Sequence, residues 1–141
     1  MVRGAATSAY HIEPDIAVAI DGGFGKTPDI DESKAVEMGM GPAIAVGPGI
    51  HPAVYKIFKD CAKAANIKCQ TEVLPSRTGT DADNMQISGL GAATGILSVP
   101  VRYMHTPVET VKLDDIETTG RLIREFVRSF DGQVLEAALC L

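Results

Sequence analysis

Ile16-Ala17-Val18-Ala19-Ile20, followed at once by Asp21-Gly22-Gly23, is the stretch on which the architecture turns. Its five consecutive apolar residues bury both faces of a strand, which is the pattern of a central strand in a largely parallel sheet. Asp21 and the two glycines end it abruptly, so the strand is predicted over 16–20. Outward from there, Ala43-Ile44-Ala45-Val46 lies between Gly41-Pro42 and Gly47-Pro48 and reads as a second strand. Residues 69–74 read as a third, and 94–99, closed by Pro100, as a fourth.

Stretches of helical period separate these runs. Val54, Ile57, Phe58, Cys61 and Ala65 share one face over 52–66, with Pro52 suited to a first helical turn. Asp114 followed by Glu117 resembles a capping box, and Ile116, Ile123, Phe126, Val127 and Phe130 then form one stripe on a long helix ending at Asp131-Gly132. Gly120 inside that helix suggests a close approach to the sheet. A shorter helix is predicted over 80–87, with Thr80 or Asp81 near its cap. Alternating strands and helices make a layered α/β domain, a three-layer α/β/α sandwich. No linker or repeat divides it, so residues 1–141 read as a single domain. Its apolar end, residues 134–141, is expected to pack on this chain or a neighbour.

Composition narrows the function. The 141 residues carry 13 Lys and Arg against 18 Asp and Glu, a formal charge of −5, with 45% hydrophobic and 22% charged residues. That balance suits a folded globular chain. An acidic sequence without basic clusters argues against nucleic-acid and membrane-surface partners. No apolar run is long enough for a membrane span and the first residues lack a signal-peptide pattern, so a cytoplasmic location is expected. Cys61, Cys69 and Cys140 form no CxxC pair and read as buried apolar residues.

Familiar motifs fail on spacing. Gly25-Lys26-Thr27 has the end of a phosphate loop, but Ile20 stands where its leading glycine belongs and Pro28 opposes the helix that must follow. Asp81 and Asp83 resemble the start of a calcium loop, yet Met85 occupies the third ligand position. Neither a serine-nucleophile elbow nor an H-E-x-x-H pair is present.

What remains is chemistry at strand ends, where ligands of open α/β sheets bind. Asp21 ends the first strand, and His105 follows the fourth by a short loop. A carboxylate and an imidazole converging there suit a zinc-like cation, which takes such ligands at about 2.0–2.2 Å. On the residues alone, an Asp ending a strand is more often a turn residue or helix cap, and a loop His more often solvated or hydrogen-bonded. His51, before Pro52, fits a helix start, and His11 has no evident partner.

Further segments carry a resemblance. They are Arg3-Gly4-Ala5, Thr7-Ser8-Ala9-Tyr10, Pro14-Asp15-Ile16-Ala17, Ala19-Ile20-Asp21, Gly41-Pro42-Ala43-Ile44, Gly47-Pro48 and Ile50-His51-Pro52. Longer matches run from Glu72 through Leu74-Pro75-Ser76-Arg77-Thr78-Gly79-Thr80-Asp81-Ala82, and from Arg102 through Tyr103-Met104-His105-Thr106-Pro107 to Thr110. Together they resemble the C-terminal part of the deblocking, or glutamyl, aminopeptidase family, whose members form tetrahedral particles and are sometimes labelled cellulase M or endoglucanase.

The resemblance implies the C-terminal portion of a zinc-peptidase-like catalytic domain that removes N-terminal residues from peptides using two divalent cations, zinc or cobalt. By position, Asp21 would be a ligand of one metal and His105 of the other. Glu109 would orient His105, and Arg77, Thr80 and Asp81 would lie on the substrate rim. The general-base Glu-Glu pair, the bridging aspartate, the first histidine ligand and an inserted dimerisation domain have no counterpart among these residues. A partial catalytic domain is therefore expected. It would bind metal weakly if at all, be inactive alone, form homo-oligomers, and act on peptides only when completed by a companion N-terminal segment. The alternative is a non-catalytic assembly or interaction module on the same scaffold. Glycines 22, 23 and 25, and 89 and 91, are expected to loosen loops around the site.

Overall fold

The computed structural model describes residues 3–130, so the predicted packing of residues 134–141 and Cys140 lie outside the described residues. In chain order the elements are α1 (Arg3–Ile12), β1 (Ile16–Phe24), β2 (Ala43–Val46), α2 (Pro52–Ala64), β3 (Gln70–Val73), α3 (Ala82–Met85), β4 (Ala93–Arg102), β5 (Thr110–Val111) and α4 (Leu113–Arg128). One mixed sheet runs in the order β1-β4-β2-β3. β1 pairs in parallel with β4 along its whole length, Ile16 with Ala93 through Phe24 with Val101. β2 is parallel to β3 and antiparallel to β4, and β5 pairs antiparallel with the end of β4.

Strand alternation sorts the core into two layers. On one face Ile44 and Leu97 meet Val54, Phe58 and Ala62 of α2 and Leu122 and Phe126 of α4. Phe58 and Phe126 stack with ring centroids 3.9 Å apart. Gly95 makes room there, because a Cβ on it would lie 2.6 Å from Val54 Cγ1. On the other face Ala19, Ala45 and Ile96 meet Ile50 and Ala82 of α3, and α1 packs against α3. The three-layer α/β/α sandwich is thus observed. Among the described residues no helix is long and apolar enough to cross a membrane.

Several boundaries differ from expectation. β1 does not stop at Asp21 but continues through Gly22 and Gly23 to Phe24. These glycines serve close packing instead of loosening a loop: a Cβ on Gly23 would lie 2.8 Å from Ser98 Cβ, and one on Gly25 2.9 Å from the Val101 main chain. β4 likewise runs through Pro100, which lies past the last β2 pairing at Ser98 and before the β5 pairing at Val101, where a missing N–H costs nothing.

The long helix starts at Leu113 after Lys112, with no side-chain cap bond, so the Asp114–Glu117 capping box does not form. Its buried face is Asp115, Thr119, Leu122 and Phe126. Of the predicted stripe, Phe126 lies on that face and Ile123 and Phe130 pack against the same core cluster, whereas Ile116 is 46% and Val127 63% exposed. Asp115 is buried because its carboxylate accepts the main-chain N–H groups of Gly39 (2.7 Å) and Gly41 (2.9 Å), tying the loop before β2 to α4. Gly120 faces open space, not the sheet. Helix α3 is four residues long, shorter than the predicted 80–87. Cys61 and Cys69 are free thiols and only half-buried.

Candidate functional site

The C-terminal ends of β1 and β4 lie side by side because the strands are parallel and in register, with Asp21 opposite Ser98. Asp21 is exposed, and its Oδ1 accepts the N–H of Gly22 at 2.8 Å. Beyond β4 the chain turns sharply through Tyr103 (φ 57°) and His105 (φ 66°), both left-handed. Each such non-glycine residue costs about 1–3 kcal/mol, and such strain gathers at functional loops. The His105 ring packs edge-on against Phe24, centroids 6.0 Å apart. Its main-chain N–H donates to Glu109 Oε1 at 2.6 Å, so Glu109 holds His105 through the backbone. Glu109 also lines a cavity of about 530 Å³ whose wall includes Asp21, Gly22, Val101 and Thr110.

The three rim candidates fall in one loop. Thr80 shares a hydroxyl contact with Thr78 (2.9 Å), Asp81 precedes α3 without a side-chain cap bond, and Arg77 lies 3.7 Å from Asp83. Asp83, seen in the sequence only as part of a failed calcium loop, organises them. Its buried carboxylate accepts the N–H and hydroxyl of Thr78 (3.0 and 2.9 Å) and the N–H of Gly79 (3.0 Å). Burial disfavours its charge, but those hydrogen bonds and the Arg77 guanidinium outweigh it and hold the carboxyl below the usual range. Arg77 and Asp83 also line a groove with Pro48, Gly49 and Gln86.

Glu72 on β3 was missed as well. Its half-buried carboxylate accepts the Ser98 hydroxyl at 2.5 Å, and burial, partly offset by that bond, pushes its pKa up. A glutamate at an alternate position of a short strand has no signal in sequence that distinguishes it from a solvated one. His51 does precede α2, as expected, with its Nδ1 buried and without a hydrogen-bond partner among the described residues; Arg102 Nε, at the end of β4, is in the same condition. The exposed His11 ring lies edge-on to Tyr10.

Zinc or cobalt tests this donor set. A catalytic zinc normally takes three protein ligands. Among the described residues no group of three or more His, Cys, Asp or Glu is placed to hold a metal ion. Asp21 and His105 do not by themselves fit a complete metal centre.

Asp21 on β1 and the loop that carries His105 beyond β4 thus lie toward the same end of a three-layer α/β/α sandwich. The pattern of the M42 glutamyl aminopeptidase family matches residues 2–122, and the chain belongs to that family. The Lysyl aminopeptidase of Pyrococcus furiosus is 41% identical over 124 residues, covering 87% of this chain and 36% of the relative. Aminopeptidase APDkam598 from the archaeon Desulfurococcus kamchatkensis superposes with a TM-score of 0.88 at 34% identity, covering 97% of this chain and 40% of that one. The TET1 peptidase of Pyrococcus horikoshii, which can assemble into a tetrahedron or a large octahedral shell, gives 0.68 at 29% identity over 88% of this chain and 36% of that one. The chain therefore spans about two fifths of the length of the relatives it matches.

Proposed function

We propose that residues 1–141 supply the C-terminal portion of a dinuclear M42 aminopeptidase domain, which releases N-terminal residues from peptides in the cytoplasm once the rest of the domain is present. The observation that carries this reading is the junction of β1 and β4: His105 rests on Phe24, and Glu109 joins the His105 backbone to the cavity that Asp21 lines. Asp21 and His105 each contribute one ligand to a zinc or cobalt pair whose other ligands come from outside this chain. Glu109 keeps His105 in its left-handed conformation. Arg77, Thr80 and Asp81 sit on the rim, where the exposed Arg77 guanidinium meets a peptide carbonyl or carboxylate. Alone, the chain is inactive; in the complete protein it assembles into homo-oligomers, consistent with its relatives' shells.

A chimera tests this: the chain replaces the matching part of the P. furiosus Lysyl aminopeptidase, and aminoacyl-nitroanilide hydrolysis is followed. Hydrolysis is expected, with a loss of at least about a hundredfold on Asp21→Asn or His105→Ala. Full activity in either variant, or robust turnover by the chain alone, refutes the assignment.

A further inference from the structure

An apolar groove of about 580 Å³ opens between β1 and α4, floored by Ile16, Val18 and Ile20 and walled by Ile123, Val127 and Phe130. Ile20 is 55% and Val127 63% exposed, so much of this surface meets water among the described residues. Helix α4 runs back along β1: Ile116 in its first turn shares a cavity with Ile20 and Gly22. Phe130 lies about 20 Å farther along the axis and so stands toward the Pro14 end of the groove. The described residues stop there, at the groove's own mouth.

The sequence continues Asp131-Gly132-Gln133-Val134-Leu135-Glu136-Ala137-Ala138-Leu139-Cys140-Leu141. Asp-Gly is a turn signal that lets the chain reverse. Placed at helical period, Val134, Leu135, Ala138, Leu139 and Leu141 share one side, and Gln133, Glu136 and Cys140 the other. A helix over 133–141 is about 13 Å long, and the floor from Pro14 to Ile20 about 20 Å, so the helix fits within the groove.

We infer that residues 133–141 form a short amphipathic helix folded back into the groove between β1 and α4, so that this chain covers its own apolar face. A helix that short is marginal alone in water, so its formation and its docking stand or fall together. The single acid of the segment, Glu136, falls on the side turned to solvent. Other exposed apolar side chains, Ile12 and Leu90, belong to α1 and the segment after α3, the layer across the sheet. The same segment of a second copy is a poorer occupant, because it must offset the loss of freedom on association, whereas the chain's own segment starts beside the groove. The inference concerns residues 1–141 by themselves and stands apart from the enzymatic reading.

Solution NMR and amide hydrogen exchange on the full chain test it. Methyl contacts are expected from Leu135 and Leu139 to Val18 and Val127, and the amides of residues 137–141 should exchange at least about tenfold more slowly than in an unstructured chain. Leu139→Glu puts a charge into the groove from the segment, and Val127→Glu puts one there from an exposed wall position that the fold tolerates. Each should return those amides to unstructured rates and keep the β1–β4 amides protected. Leu139→Glu should also raise binding of anilinonaphthalene sulfonate at least about threefold. Glu136→Gln, on the side facing water, should change nothing. The inference is overturned if residues 137–141 exchange freely in the parent chain, if they stay protected in Val127→Glu or Leu139→Glu, or if the methyl contacts lead to other side chains. Protection that rises with protein concentration also overturns it, since the segment would then be swapped between two copies.

Discussion

Glu72 and Ser98 reach each other across the whole width of β2: the Ser98 hydroxyl on β4 donates to the Glu72 carboxylate on β3, at 2.5 Å. They meet because the β2 residues beneath, Ala43 and Ala45, are small and fully buried, and because Gly23 leaves space above Ser98. Ser98 is also the register partner of Asp21, so this bond ties the far strand to the one bearing the proposed ligand.

Burial raises the Glu72 pKa above its unfolded value, against the opposing bond from Ser98. Its contribution to stability is therefore fully present below the unfolded pKa and is lost as pH rises through the folded one. Glu72→Gln keeps an acceptor for Ser98 and removes the buried charge. It should be as stable as the parent at pH 4 and more stable at pH 7, measured by urea denaturation at both.

Asp83 has the opposite sign. Its lowered pKa means that the stabilisation it gives is present above the unfolded carboxylate value and lost as pH falls through the folded one. Asp83→Ala leaves the Thr78 and Gly79 N–H groups without their acceptor and should cost about 1–3 kcal/mol at pH 7. The difference from the parent should shrink on acidification, and equal stability at pH 7 would dismiss Asp83 as the organiser of the rim loop.

Two glycines should respond in opposite directions to alanine. Gly120→Ala, exposed in mid-helix with nothing near its Cβ, should stabilise by roughly 1 kcal/mol. Gly95→Ala drives a methyl into Val54 and Phe58 and should cost about 1–3 kcal/mol. Thermal melts of both variants check the contrast.

Asp115→Ala strips the Gly39 and Gly41 amides of their common acceptor. A loss of about 1–3 kcal/mol follows if those amides stay dry. Faster exchange at Gly39 and Gly41, with the Phe58–Phe126 core unaffected, would locate the loss in that loop.

Strand and helix positions were legible because apolar runs and helical periods report burial directly: β2 falls on 43–46 as read, and α2 starts at Pro52. The errors arose where one residue type has two uses. Gly22 and Gly23 read as a turn, but a strand pressed against Ser98 requires the same lack of a side chain. The apolar stripe on α4 is real, yet periodicity does not reveal which of its members reach the core: Phe126 is buried there and Ile123 and Phe130 pack against it, while Ile116 and Val127 stay exposed. Asp115, Asp83 and Glu72 were invisible because their roles depend on partners 74–76, 4–5 and 26 residues away, contacts that only the fold creates. Asp21 and His105 are proposed from strand ends and resemblance together, and neither the left-handed turn at Tyr103 nor that at His105 has a glycine to announce it.

Val36, bridged to the end of β1, acts as a doorstop. It occupies the Phe24 carbonyl and the Lys26 N–H on the side turned away from β4, so that end of the strand is closed to further main-chain pairing.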